Sequence, residues 1–247
     1  MFLFPLISSH NLIVPIVTNI RTNYVHCAFT IDHYKECIQL ARDKGYTISN
    51  VIGYNETIKK CIVLRHDIDF SLDYAHKLAT YENRFGIKSS YYVYLHSETY
   101  NALAPENMEI IRKIRELGHE VGLHYDSRYD NFDDIVVSCM LNHQIDTLTQ
   151  HNPSMTSEPI IPITNPKHFP IKYISDSGRN WRQGCMCQHI GKEDKLHILT
   201  HPIWVVGQGN SRQEIIHNMI LDQKRTLDSA HNNIKSMLSD YDKELKQ

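Results

Sequence analysis

The sequence predicts a parallel α/β fold, barrel or open sheet, built as one domain. Three observations carry that expectation. Short β-branched runs alternate with amphipathic segments of ten to twenty residues. Acidic and imidazole residues follow the apolar runs, and parallel folds collect functional groups at the carboxyl ends of their strands. The 247 residues are 41% hydrophobic and 22% charged, an ordinary globular balance that can bury one sizeable core.

The elements follow in order. Residues 1–27 form an N-terminal extension or edge element. They are rich in apolar residues, but they lack a basic start and contain His10, Asn11 and Pro15, unlike a signal peptide or a membrane span. "TIDHYKECIQLARDKG" (30–45) is a helix, with Asp32 as its candidate cap and Gly45 as its stop. "KCIVLRHD" is a buried strand ending near Arg65. "SLDYAHKLATYENRFG" is a helix closed by Gly86. "KSSYYVYL" (88–95) is a strand. "PENMEIIRKIRELG" (105–118) is a helix with proline at its start and glycine at its end. "HEVGLHYD" (119–126) is a strand, and 132–150 is an amphipathic helix. The proline-rich stretch that follows is a loop. "IKYISDS" and "KLHILTH" are two further strands. A catalytic-type barrel would therefore span 28–210.

Residues 211–247 are helical. Ser211-x-x-Glu214 is a capping box. Ile216, Ile220, Leu227, Ala230, Ile234, Met237 and Tyr241 form a seam close to a heptad. The first reading of that seam is packing on the chain's own barrel, and a homodimer contact is the alternative.

Composition excludes some partners. A net charge of −2 points away from nucleic acid and from polybasic attachment to membranes. Six cysteines show neither a disulfide framework nor a paired CxxC pattern. Cys185-Met-Cys187 reads as ordinary loop chemistry. Free thiols favour a reducing compartment, hence the cytoplasm.

The chemistry concentrates at four strand ends. Asp67 and Asp69 are two apart, so in extended chain both carboxylates face one side. Nearby carboxylates repel unless a cation or proton lies between them. A divalent metal on one leaves the other as a base for water. The plainer reading is a cap plus an Arg65 salt bridge. His124 ends a strand and is a good metal ligand type. His201 follows an apolar strand and could act as a general acid, with Pro202 and Trp204 shaping the rim. Asp176, Arg179 and Trp181 follow the neighbouring strand. An Asp–His pair there would orient or protonate an imidazole, and either tryptophan is a sugar platform or core.

"LRHDIDFS", "GHEVGLHYD", "YISDSGRNWR" and "ILTHPIW", in this order, resemble the polysaccharide deacetylase superfamily (NodB-homology, carbohydrate esterase 4-like). They look most like a branch with an Arg-His-Asp-x-Asp first motif, found among surface-polysaccharide biosynthesis proteins. The resemblance spans roughly residues 28–207. It implies a distorted (β/α) barrel, one divalent metal, and hydrolysis of an acetyl or formyl amide on an amino sugar, a nucleotide-linked sugar or an oligosaccharide. Zinc is the default, with Co, Ni or Mn open. By the same resemblance Asp67 is the catalytic base, Asp69 and His124 are metal ligands, and His201 protonates the leaving amine. Asp176, and less directly Arg179, support these groups.

One position departs from the pattern. Where the family has a second histidine, this chain has Arg128, and a guanidinium cannot bind a cation. His151 is the preferred replacement and His66 the next, although its neighbours turn His66 away. His119 is expected to bond locally. A second function stays open: a catalytically inactive carbohydrate-binding protein whose metal was lost with that histidine. A phosphoesterase is a weaker reading, since neither a second metal cluster nor a phosphate-binding glycine loop is visible.

Overall fold

A computed structural model describes residues 27–126, 147–151 and 171–244. The N-terminal extension up to residue 26, most of the segment expected to be helical at 132–150, nearly all of the proline-rich loop and Arg128 lie outside the described residues.

The described chain is a curled parallel sheet flanked by helices, with a long C-terminal helix. Its elements are α1 (Ile31–Asp43), β1 (Thr47–Ser49), β2 (Cys61–Ile68), α2 (Leu72–Arg84), β3 (Ser90–Val93), α3 (Pro105–Glu116) and β4 (Glu120–Tyr125). They continue with β5 (Leu148–Gln150), β6 (Lys172–Ser175), α4 (Met186–His189), β7 (Lys195–Thr200), α5 (Pro202–Val206) and α6 (Arg212–Glu244). The strand order is β5-β4-β3-β2-β7-β6, with β1 on the first half of β2. Every pairing is parallel, so all carboxyl ends lie at one rim. Among the described residues no ladder joins β5 to β6, which makes this a half-barrel.

β2 is the central strand and is buried along its whole length. It runs to Ile68, three residues past the expected end near Arg65. Pairing with β3 extends the ladder there, from Arg65↔Ser90 to Ile68↔Val93. The charges tolerate this because Arg65 and Asp67 neutralise each other on one face (below). Thr30, not Asp32, caps α1, accepting from the His33 N–H through its side chain. Asp32 instead sits in the first turn, where the helix dipole favours an anion. Ser71 caps α2 in the same way.

The end of the expected 132–150 helix is a strand instead. Leu123↔Leu148, His124↔Thr149 and Tyr125↔Gln150 are paired. Thr147 and Thr149 are buried while Leu148 and Gln150 are half-exposed, a period of two over too few residues to outweigh the helical pattern before it. In β4, a Cβ at Gly122 would lie 2.5 Å from the Tyr92 ring, so glycine lets that ring cross the strand.

The two faces of β2 have different neighbours. His66 points away from the rim, with Nδ1 2.6 Å from Thr200 Oγ1 and Nε2 2.9 Å from Glu82 Oε1. Glu82, fully buried, also accepts from Tyr91 at 2.8 Å and from Ser89 and Tyr34 hydroxyls. His119 closes this layer, 3.0 Å from the Ala79 carbonyl. Trp204 is not a rim residue: it is 3% exposed and packs with Tyr74, Ile203, Ile215 and Met219.

The capping box of α6 forms with a shift of one residue. Ser211 Oγ accepts from the Glu214 N–H at 3.1 Å, and the Glu214 carboxylate accepts from Asn210 at 2.7 Å. Met219 is the last buried residue of the helix, and hydrogen bonds from Tyr74 to Asp222 at 3.2 Å and from Gln223 to the Thr99 carbonyl at 2.6 Å are its last ties to the body among the described residues. Every residue from 224 to 239 is exposed, so the packing expected along the whole seam holds only for its first two turns. Among the described residues no helix is long and apolar enough to cross a membrane.

Candidate metal and catalytic site

Five strand ends converge at the rim: β2 with Asp67 and Asp69, β4 with His124, β5 with His151, β6 with Asp176 and β7 with His201. Asp69, His124 and His151 present ligand atoms within 4.8 Å of one another.

Arg65 separates the two similar aspartates. Its Nε donates to Asp67 Oδ1 at 2.8 Å and its Nη2 to Oδ2 at 2.6 Å. Both groups are buried. The plainer sequence reading of Asp67, a salt bridge to Arg65, is therefore present, and it coexists with the rim cluster. Burial pulls the Asp67 carboxyl upward, but Arg65, His124 and His201 together hold it below the usual range.

Asp69 has no such partner. Its Oδ1 is buried without a hydrogen bond among the described residues. Imidazole nitrogens face that oxygen, His124 Nε2 at 3.4 Å and His151 Nδ1 at 3.8 Å. His124 Nε2 and His151 Nδ1 are 3.2 Å apart. Two ligands at about 2.0–2.1 Å in a tetrahedral site stand about 3.4 Å apart, so the donor set fits a divalent cation. Burial works against ionised Asp69, yet His201, His124 and His151 hold its carboxyl well below the ordinary range. Burial lowers the His124 pKa against the pull of both aspartates, favouring the neutral form that ligates metals.

The surroundings orient these groups. His124 Nδ1 is 2.7 Å from Thr149 Oγ1, its register partner on β5. His151 stacks on Tyr94, with ring centroids 4.3 Å apart. Tyr94 in turn donates to Asp126 at 2.8 Å. The Asp69 turn is pinned by three hydroxyls on consecutive carbonyls: Tyr100 to Ile68 at 2.7 Å, Ser97 to Asp69 at 2.8 Å, and Thr99 to Phe70 at 2.7 Å. Sequence reasoning missed this loop. Its available signal was the hydroxyl-rich "HSETYN" directly after a strand.

His201 faces the other oxygen of Asp69, Nε2 to Oδ2 at 3.4 Å. Asp176 is fully buried and accepts three times from this residue: from Nδ1 at 2.6 Å and from its backbone N–H at 3.0 and 3.1 Å. Burial opposes the imidazolium, but Asp176 and then Asp69 raise the His201 pKa well above its ordinary value. Both carboxylates thus favour the imidazolium form of His201 at the rim. Arg179 is not part of this group. Its guanidinium donates to the carbonyls of Asn210 at 2.6 Å and Gly209 at 3.4 Å, bracing the approach to α6. Trp181 stacks on Phe29 at 5.7 Å.

No protein-family model matches the chain, and no curated protein matches it. Among solved structures, the crystal structure of a mutant of a CE4 family pseudoenzyme aligns with 68% of this chain at 15% identity and a TM-score of 0.41. The chain spans 63% of that protein, under two thirds of its length.

Proposed function

We propose that the rim is the active site of a metal-dependent hydrolase that removes an N-acyl group, acetyl or formyl, from an amino sugar or sugar conjugate. The observation that carries the metal part is the orphaned Asp69 Oδ1, buried beside two imidazoles, with His201 facing the other oxygen. Asp69, His124 and His151 would hold the ion. A bound divalent ion supplies Lewis-acid polarisation of the amide carbonyl and makes water more acidic. The sugar and the surface-polysaccharide setting rest on the sequence motifs.

The protein's own groups divide the proton work. Asp67 stays ionised beside Arg65 and accepts the proton of the attacking water. His201 gives its Nε2 proton to the departing amine, since an amine leaves poorly as an anion. Asp176 keeps His201 oriented and charged until that step. The expected outcome is amide hydrolysis that stops on chelation and returns with added Zn, Co, Ni or Mn. Asp67→Asn should abolish turnover while leaving the metal bound, as read by elemental analysis. Full activity in chelator-stripped protein would sink the metal mechanism.

One observation favours a second reading. Both oxygens of Asp67 are engaged by Arg65, which weakens it as a base. A sugar-binding protein without turnover would keep that clamp. Sugar binding without hydrolysis across acyl-sugar substrates, most directly with the rim empty of metal, would select it.

A further inference from the structure

A second set of metal-type side chains lies away from the rim. Cys27, His33, Cys185 and Cys187 present ligand atoms within 4.8 Å of one another. Cys27 Sγ is 3.4 Å from Cys187 Sγ, and His33 Nε2 is 3.3 Å from Cys185 Sγ. Two segments supply them: the first turn of α1 with Cys27, four residues ahead of it, and the start of α4 with Cys185 as its N-cap. The sequence pattern was silent because the two segments are about 150 residues apart, with no CxxC in either.

We propose that these four residues form a structural site for a thiophilic divalent cation, Zn²⁺ by its chemistry, that ties α1 to the connection between β6 and β7. Three features support a metal over mere packing of thiols. The set is Cys₃His, a common closed zinc set. Tetrahedral zinc with bonds of about 2.3 Å to sulfur and about 2.0–2.1 Å to nitrogen spaces its ligands about 3.6–3.8 Å apart, and the observed 3.3–3.4 Å needs an expansion of only tenths of an ångström. His33 is also oriented for ligation, because its Nδ1 lies 3.1 Å from Glu36 Oε2. A ligating histidine ordinarily donates its other N–H to a carboxylate in this way.

A disulfide is the main rival. It requires sulfurs at about 2.05 Å, and a Cys27–Cys187 bond would leave His33 and Cys185 facing each other without purpose. Cys37 Sγ, 3.6 Å from His33 Nε2, is a neighbouring thiol outside the four. On metal binding the three thiols release their protons to solvent, with no change in oxidation state.

The site would brace the half-barrel. The β6–β7 connection starts at Asp176 and leads into β7, past whose far end His201 lies, so the ion would steady the segment that leaves Asp176. This proposal is independent of the rim metal, and the test keeps them apart. Cobalt(II) is titrated into full-length, reduced, metal-free protein carrying His124→Ala and His151→Ala. The expected result is one equivalent bound, with a thiolate-to-cobalt charge-transfer band and tetrahedral visible bands. Adding Cys187→Ser should weaken the band by about a third or abolish it. His33→Cys, which keeps four donors should the serine variant fail to fold, should strengthen it by about a third. X-ray absorption of zinc-loaded wild type should show sulfur at about 2.3 Å. Absence of a sulfur band and of sulfur scattering overturns the proposal, as does a Cys27–Cys187 disulfide in protein prepared without oxidant.

Discussion

Arg65 occupies both oxygens of Asp67, and the carboxylate two residues on has a buried oxygen that faces two imidazoles without a hydrogen bond among the described residues. Under the proposed function, that difference gives one aspartate the proton transfer and the other the cation. The spacing of Asp67 and Asp69 made their common face legible in the sequence, because strand side chains alternate. It also put Arg65 on that face, but a cation near two acids reads the same whether it is buried or solvated. The supporting hydroxyls were harder to see. Thr149 reaches His124 only because β5 pairs in register with β4, and β5 itself was hidden in a helical pattern. Thr149 therefore acts as a positioning residue. Thr149→Val keeps the shape and removes the bond to Nδ1. It should weaken rim metal binding by about 10–100-fold, measured by chelator competition, with the circular dichroism spectrum unchanged. An unaltered affinity would remove Thr149 from the support of the site.

At the scale of elements, the layer behind β2 joins α1, α2, β2 and β3 through one acid. Burial raises the carboxyl pKa of Glu82, but His66, His119 and Ser89 overcome it and bring it down to about 2. His197 on β7 is buried as well, and desolvation followed by Arg65 pushes it down to about 3. Both shifts have the same consequence. Below the unfolded value of each group the unfolded chain binds a proton that the folded chain refuses, so stability falls as pH falls. For His197 the window runs from about 6.5 down to about 3, and for Glu82 from about 4.5 down to about 2. Each group contributes up to about 1.4 kcal/mol per pH unit inside its window. Urea titrations should therefore show the midpoint dropping steadily below pH 6 and more steeply below pH 4.5. In Glu82→Gln the steeper part should disappear, on a base of lower stability at pH 7, because the ring nitrogens and hydroxyls lose a charged acceptor. Retention of the steep limb in that variant would place the acid sensitivity elsewhere. The helices α2 and α3 were legible because each has a clear period and terminal signals, and the strands β2 and β7 because each is a short continuous apolar run. The turn-length α4 and the three-residue β1 and β5 were not, because so few residues show no period.

At the scale of the molecule, a parallel sheet brings residues as far apart as Asp69 and His201 to one rim, and the alternation of strands and helices was enough to expect that. The same alternation says nothing of how α6 ends. Ile216, Ile220, Gln223, Leu227, Ala230, Ile234, Met237 and Tyr241 are spaced four and three residues apart in strict turn. Among the described residues, the last tertiary hydrogen bond along this seam is Gln223 to the Thr99 carbonyl at 2.6 Å. Past it, Leu227, Ile234, Met237 and Tyr241 are 57–70% exposed. A helix continued so far into water has little to hold it, since isolated helices are marginal at this length. A 3.5-residue apolar repeat is the pattern two helices bury against each other, and a second copy of the chain supplies the identical seam. We therefore expect a homodimer through the outer part of α6, with Gln223, anchored to its own body, marking where the pairing begins. Light scattering should give twice the chain mass at micromolar concentration. Leu227→Glu with Ile234→Glu should give the monomer mass and a loss of helical signal, while rim metal binding persists. A wild-type chain that stays monomeric with its helical signal intact would show that α6 stands alone.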